Sequence, residues 1–413
     1  MWKPFLPAWC GTSNAVTSPL EDIRVCDVTQ NLAGPFCAQI LADLGATVIN
    51  VEPPGGDLGR LWGPPFWGED STLFLSANRG KRSIILDLKQ KEGMDVLKRI
   101  GASSDVFIQS SRPAAALGLG IDEASVRVWN EDIVHMSLSA YGQRGPMSDQ
   151  PGYDPLMQAY AGIISVTGQP EGPPTRVGGS VVDFGTGMWA ALSIISALRE
   201  RDRTGKGVAL ETSLMDTSLA WVSYHMMGYM ATGEVPGPRG SSLGAIAPYR
   251  AFPTLDGYVM IAAGNDAIFR RLCDALGLVG TADDPRFGSN SDRVAHRNDL
   301  DAIIEGATSQ ISTDELLERT LRSAIPASAI QSIADVVDDP QVAEAGMFQT
   351  LGHPELEGYR DVSLPLQIDG VRPRAARVPP KPGEHSSEIL EELGFDGEEV
   401  DYLFDVGAVS KGS

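Results

Sequence analysis

The sequence predicts an α/β protein in which a large Rossmann-like domain is joined by a smaller α+β domain. Two observations lead there. Between residues 23 and 138, short apolar segments alternate with helical ones, the pattern of a parallel sheet flanked by helices. The run Val235-Pro236-Gly237-Pro238-Arg239-Gly240-Ser241-Ser242-Leu243-Gly244 then breaks the chain. Beyond it, two alternating segments flank Leu255-Asp256-Gly257, a D-G hairpin turn, ahead of three helical stretches.

Taken in order, strands are expected at 23–28, 47–51, 83–88, 106–108 and 133–138. Helices are expected at 36–44, stopped by Gly45, and at 90–100 and 123–129. A long apolar helix over 184–198 ends in Arg199-Glu200-Arg201, and the turn Thr204-Gly205-Lys206-Gly207 leads into a strand at 208–212. A Met- and aromatic-rich helix follows at 214–230. In the second module, strands at 249–252 and 257–263 precede helices at 266–276, 291–305 and 314–322. From residue 347 the chain returns to short strands, a proline-rich run and an acidic helix at 386–393. Residues 1–20, rich in Gly, Ser, Thr and Pro without a period, read as a flexible leader.

Composition narrows the function classes. A net charge of −21 argues against nucleic acid as a partner and means that an anionic ligand needs a local basic patch. The densest one before residue 150 is Asn78-Arg79-Gly80-Lys81-Arg82. No apolar run in the sequence approaches the roughly 18–20 residues of a membrane span, and the proline-broken N-terminus does not read as a signal peptide. Four scattered cysteines and five histidines without ligand spacing point to reduced thiols, a cytoplasmic protein and no metal site. Asn31-Leu32-Ala33-Gly34-Pro35 follows the first strand where a dinucleotide fold would carry G-x-G-x-x-G, so a bound nicotinamide or flavin is not expected.

The most informative stretch is Val181-Val182-Asp183-Phe184-Gly185-Thr186-Gly187. It delivers one carboxylate to the start of the long apolar helix, where Asp183 occupies an N-cap position and is kept ionised by free N–H groups and the helix dipole. The plainer reading is that Asp183 only caps the helix. Gly185 and Gly187 speak against it, because glycine disfavours a first helical turn by about 1 kcal/mol unless something must approach the backbone. A carboxylate beside such a gap can act as a nucleophile or a base.

These pieces resemble the class III CoA-transferases, the family of formyl-CoA:oxalate and carnitine CoA-transferases, whose fold is shared by α-methylacyl-CoA racemase. The markers are Leu32-Ala33-Gly34-Pro35; Leu44-Gly45-Ala46-Thr47-Val48-Ile49 with Val51-Glu52-Pro53-Pro54-Gly55-Gly56-Asp57; and Asn78-Arg79-Gly80-Lys81-Arg82-Ser83-Ile84. Gly152-Tyr153-Asp154, Val182-Asp183, Arg203-Thr204-Gly205-Lys206-Gly207 and Asp284-Pro285-Arg286-Phe287 follow in register. The resemblance implies that Asp183 is the catalytic aspartate. In the racemases that aspartate works opposite a histidine thirty positions earlier, and here the position is Tyr153. With an unperturbed pKa near 10, tyrosine is a poor acceptor for an α-proton, which favours the transferase.

The implied chemistry passes from acyl-CoA through an aspartyl anhydride and an aspartyl-CoA thioester to a free acid. CoA enters as a substrate and no permanent cofactor or metal is called for. The resemblance places CoA on Asn31, Leu32, Ala33, Lys81, Tyr153 and Asp154, with Arg79 and Arg82 as candidate phosphate contacts; pairing of Arg82 with Asp87 or a C-terminal carboxylate is the equal alternative. Oxyanion donors are expected near Gly185 and from the loop Gly240, Ser241, Ser242 and Gly244. Formyl-CoA transferases carry basic residues where this chain has Pro53, Gly118 and Pro151, and glutamine at Leu32. Those departures turn the expectation from formate and oxalate to a larger acid, such as a dicarboxylate with a succinyl-CoA-type donor. Arg176, Arg239 and Arg250 are candidates for its second carboxylate. The implied architecture is a ring: large domain 21–215 with 347–413, small domain 236–325, linkers 216–235 and 326–346. Two rings interlock as a homodimer. An enolising enzyme on the same fold and a non-catalytic acyl-CoA-binding homologue stay open; α-proton exchange would mark the first, and CoA binding without turnover the second.

Overall fold

The computed structural model describes residues 18–411, so the expected leader lies, up to residue 17, outside the described residues, as does Cys10. The chain divides into two compact units, Met1–Met157, Ser180–Ala220 and Glu344–Ser413 in one and Gln158–Gly179 with Trp221–Ala343 in the other.

Unit 1 is built on a seven-stranded sheet: β1 (Arg24–Val28), β2 (Thr47–Glu52), β3 (Lys81–Leu86), β4 (Val106–Gln109), β5 (Val134–Ser139), β6 (Ala209–Ser213) and β7 (Val409–Ser410). Their spatial order is β7-β3-β2-β1-β4-β5-β6. All neighbours are parallel except β7, which pairs antiparallel with β3. The chain moves outward from β1 to β3, then returns across β1 to start β4. Adjacent connections therefore leave in opposite directions at the carboxyl ends of β1 and β4, the switch point where open α/β sheets bind ligands.

Strands β3, β4 and β5 are buried at every residue, as expected of parallel strands covered on both faces, and this includes the polar Lys81, Ser83, His135 and Ser137. Period-2 geometry divides their side chains between two cores. Val25, Val106, Ile108, Val134 and Met136 meet the helices on one face; Cys26, Ile49, Ile84, Leu86 and Phe107 pack on the other. The first face is covered by α1 (Ala33–Asp43). The short helix α2 (Asp154–Tyr160) starts beside the long α3 (Val181–Thr204), whose Ala190, Ala191 and Ile194 share the core of α1. A methyl at Gly187 would lie 2.6 Å from the Ala33 carbonyl oxygen. The bare backbone there admits α1, not a ligand.

Contrary to the sequence expectation, α3 is long and apolar enough by length and composition to cross a membrane. Half of its most apolar window is buried inside the protein, the packing of a core helix. β3 starts two residues earlier than expected, because Lys81 and Arg82 enter the strand with their charges paired internally. The expected helix at 214–230 is two helices, Leu214–Trp221 and Ser223–Thr232, falling in different units.

Unit 2 holds a three-stranded antiparallel sheet of Tyr249–Pro253, Tyr258–Ala262 and Ala327–Ala329. The first two form the hairpin expected around the D-G turn, with Thr254 N–H on the Gly257 carbonyl at 2.9 Å. Phe252, Val259, Ile261, Phe269, Leu272, Phe287 and Leu300 form its core. The expected helix at 291–305 breaks at His296 into Asn290–Ala295 and Arg297–Thr308. Nothing in the sequence tells that Gln158–Gly179 joins this unit; Gly240 N–H on the Gly168 carbonyl at 2.8 Å ties it there.

Candidate active site

The site is assembled from the segments that leave the carboxyl ends of β1, β4 and β5. After β1 the backbone turns through Asn31, held in the left-handed region at φ 71°. Its N–H donates to Asp57 Oδ1 at 3.1 Å, and Gly59 N–H donates to the same oxygen at 2.7 Å. Burial pushes the Asp57 carboxyl up to about 6, against the pull of those two donors. So pinned, the chain enters α1 with Leu32 at the N-cap, no capping side chain and no acid in the first turn. The positive end of this helix dipole is left open to an anion.

Asn31, Leu32, Ala33 and Gly34 line a cavity of about 100 Å³ with Ser110 after β4, Ser139 and Ala140 after β5, and Gly152, Tyr153 and Asp183. Trp62 lies at the same cavity, its ring 5.3 Å from that of Tyr153 in an edge arrangement, and both rings are half-exposed. Sequence reasoning missed Trp62. Its one signal was a bulky aromatic set in the turn-forming run Trp62-Gly63-Pro64-Pro65. The Asn31 Oδ1 atom is buried without a donor among the described residues.

Asp183 is not the N-cap. Ser180 holds that position without a side-chain bond, and Asp183 stands in the first turn. The cap is supplied from α2: Asp154, 1 % exposed, accepts the Val182 N–H at 2.8 Å and the Asp183 N–H at 3.3 Å through Oδ2. The expected stabilisation of the Asp183 anion is thus reversed. Burial first, and the neighbouring Asp154 charge second, push the Asp183 carboxyl up to about 7. Asp183 is half-buried at the cavity and accepts no hydrogen bond among the described residues. It is a poorly solvated carboxylate that titrates near neutrality, the state of a reactive oxygen nucleophile.

Several expected ligand residues have other work. Arg79 is buried against Asp43 at 2.6 Å and Asp361 at 2.9 Å. Lys81, fully buried, donates to Asp27 at 3.0 Å and Asn78 at 2.8 Å. Arg82 grips Glu392 at 2.7 Å and Glu388 at 2.8 Å. None of the three lines the cavity at Asp183, and their charges are matched by these internal pairs. Gly185 is no free donor either: the Phe184 N–H already bonds to the Ser180 carbonyl at 3.0 Å, so the next N–H lies inside the helical ladder. The free N–H groups nearest the chemistry belong to the α1 terminus. Gly240, Ser241 and Ser242 belong to unit 2, where they line a separate cavity with Arg239, Arg250 and Arg297; Gly244 packs against the Arg239 stem. Arg176 donates to the carbonyls of Val177 and Gly178, and Arg250 pairs with Asp301 and Glu305. Among the described residues, no histidine lines the Asp183 cavity.

Comparison with known proteins converges on one family. The model of CoA-transferase family III matches residues 20–386. The chain is 38% identical over 382 residues to a succinate–glutarate CoA-transferase of Agrobacterium fabrum, covering 91% of this chain and 96% of the relative. It is 36% identical to an acetyl-CoA:oxalate CoA-transferase of Acetobacter aceti, covering 91% and 96%. The crystal structure of a CaiB/BaiF family protein from Brucella suis superposes with a TM-score of 0.83 at 36% identity, over 91% of this chain and 99% of that one.

Proposed function

This chain belongs to CoA-transferase family III, and from that premise we propose that it moves CoA from a succinyl-type acyl-CoA to a free dicarboxylic acid through covalent intermediates on Asp183. The carrying observation is the half-buried Asp183 carboxylate, raised to about 7, at the switch-point cavity beside the uncapped α1 terminus. The similar proteins support the acid class: one is named for succinate and glutarate, another for oxalate, and all three are dicarboxylates.

The steps balance without an outside reagent. An Asp183 oxygen adds to the thioester carbonyl, the C–S bond breaks, and CoA leaves as thiolate from a mixed anhydride. The thiolate then attacks the aspartyl carbonyl, releasing the donor acid and leaving an aspartyl-CoA thioester. The acceptor carboxylate attacks that thioester, expels the thiolate and forms a second anhydride. Attack of the thiolate on the acceptor's acyl carbon yields the new acyl-CoA and regenerates Asp183. The N–H groups of Ala33 and Gly34 are placed to stabilise the oxyanions. Asn31 Oδ1, whose lone pairs have no donor among the described residues, accepts an amide N–H of the pantetheine arm, and Tyr153 with Trp62 covers the arm. Asp154 acts indirectly, by holding the turn that bears Asp183.

An interlocked homodimer belongs to the same reading. Met188 and Leu192 on α3 are 54% and 55% exposed, and Tyr224, Met227 and Met230 in unit 2 are 63%, 64% and 68% exposed, more apolar surface than a lone chain leaves in water. The buried free thiols Cys26, Cys37 and Cys273 fit a reducing cytoplasm. The decisive experiment is trapping: incubation with succinyl-CoA followed by hydroxylamine converts an acylated Asp183 to a hydroxamate visible by peptide mass. No modification at Asp183, or an Asp183→Ala enzyme with undiminished CoA exchange, refutes the mechanism.

A further inference from the structure

Unit 2 contains a cavity of about 510 Å³, and none of its lining residues is among those at the Asp183 cavity. Three guanidinium groups, Arg239, Arg250 and Arg297, and one carboxylate, Asp301, line it. This is a concentration of positive charge in a chain whose net charge is −21. The three arginines differ in what they already bind. Arg250 is matched by Asp301 at 3.1 Å and Glu305 at 2.8 Å. Arg297 uses Nη2 to hold the carbonyls of Leu243, Gly244 and Ile246 at 2.9, 3.0 and 2.8 Å, which fixes the cavity's rim. Its Nη1 is buried and has no partner among the described residues. The Arg239 guanidinium has no hydrogen bond or ion pair among the described residues, and its Cδ and Nε lie beside Gly244.

Two cations near each other, one with a buried donor unmet, are unfavourable until an anion joins them. A planar carboxylate suits two guanidinium edges, because each can offer it parallel N–H donors. Asp301 on the same wall, with Oδ1 unpartnered, lowers the net charge and so favours a singly charged carboxylate over a doubly charged phosphate. We propose that this cavity binds a small free dicarboxylic acid, with one of its carboxylates held between Arg239 and Arg297. The proposal rests on the reading that the substrate acid is a dicarboxylate. Of the three arginines the sequence offered for a second carboxylate, it retains Arg239, and it adds Arg297 as the partner cation.

The test is calorimetric binding of glutarate to the full-length protein and to Arg239→Gln, with CoA and inorganic phosphate as parallel ligands. Arg239 is exposed and unpaired, so the variant should unfold at the wild-type temperature. Glutarate affinity should fall about tenfold or more, the loss of a charged hydrogen-bonded contact, and Arg239→Lys should recover part of it. CoA affinity should not change. Unaltered glutarate binding in Arg239→Gln, or no glutarate binding by the wild type at about 10 mM, where even a site of only millimolar Kd would be mostly filled, overturns the proposal. A loss of CoA or phosphate affinity instead makes it a phosphate site and equally overturns it. Hydroxylamine trapping at Asp183 is read separately, so failure of the transferase mechanism is not mistaken for failure of this site.

Discussion

One oxygen of Asp154 takes the N–H of Asp183 at 3.3 Å, and with it the N–H of Val182 at 2.8 Å. One buried carboxylate thus anchors the helical turn that presents another. The arrangement positions Asp183 and at the same time raises its affinity for a proton, since the two acids share one corner of the fold.

That proton affinity sets the pH dependence. In the proposed mechanism the reacting form of Asp183 is the anion, so activity should fall as Asp183 is protonated below about pH 7. A profile of kcat/KM from pH 5.5 to 9 should show an acid limb near 7 and a plateau above it. Asp154→Asn keeps an oxygen for the two N–H groups and removes the neighbouring charge, so the limb should move to lower pH. An unmoved limb would show that Asp154 does not act on Asp183 electrostatically.

The same displacement affects stability. The folded-state pKa of Asp183 lies above its unfolded value, so the native state binds more protons between pH 4 and 7 and loses stability as pH rises through that window. Above pH 7 the cost reaches up to about 4 kcal/mol by linkage. Asp183→Asn should therefore raise the unfolding midpoint at pH 8 and leave it nearly unchanged at pH 4, as followed by calorimetry.

Lys81 should behave as a structural residue. Removing one partner of a buried ion pair leaves the Asp27 charge unmatched, at a cost of about 3–5 kcal/mol. Lys81→Met should lower the unfolding free energy measured in denaturant by that amount. A variant of wild-type stability with a raised KM for acyl-CoA would restore the ligand role expected from the sequence.

Gly187→Ala tests the contact between α1 and α3. Alanine suits a helix better than glycine, yet its methyl would meet the Ala33 carbonyl oxygen at 2.6 Å. A net loss of about 1–3 kcal/mol is expected from overpacking, with a higher KM for acyl-CoA because Ala33 borders the cavity. Urea unfolding and initial rates measure the two effects.

The sheet was legible because short apolar stretches such as Ile84-Ile85-Leu86 and Val106-Phe107-Ile108 alternate with helical ones, and Asp183 was legible as a candidate because the glycines beside it are out of place in a helix. What escaped reading depends on partners remote in the chain. Arg79 and Lys81 look like ligand contacts until Asp27, Asp43 and Asp361 come in to neutralise them, whereas for Arg82 the pairing with C-terminal carboxylates that the sequence offered is found at Glu388 and Glu392. The role of Asp154 as cap, and Gly187 as a packing site rather than a ligand gap, likewise exist only once α2 and α1 are folded against α3. The two-residue strand β7 is too short to leave a pattern.

That short strand has a consequence for biogenesis. Val409 and Ser410 complete the margin of a sheet begun at Arg24, and Glu388 and Glu392 neutralise Arg82 from the same late stretch. Until residues 388–410 have been translated, the flank of β3 is an open template beside an uncompensated Arg82. Chains truncated before residue 388 should therefore lean on chaperones at this margin.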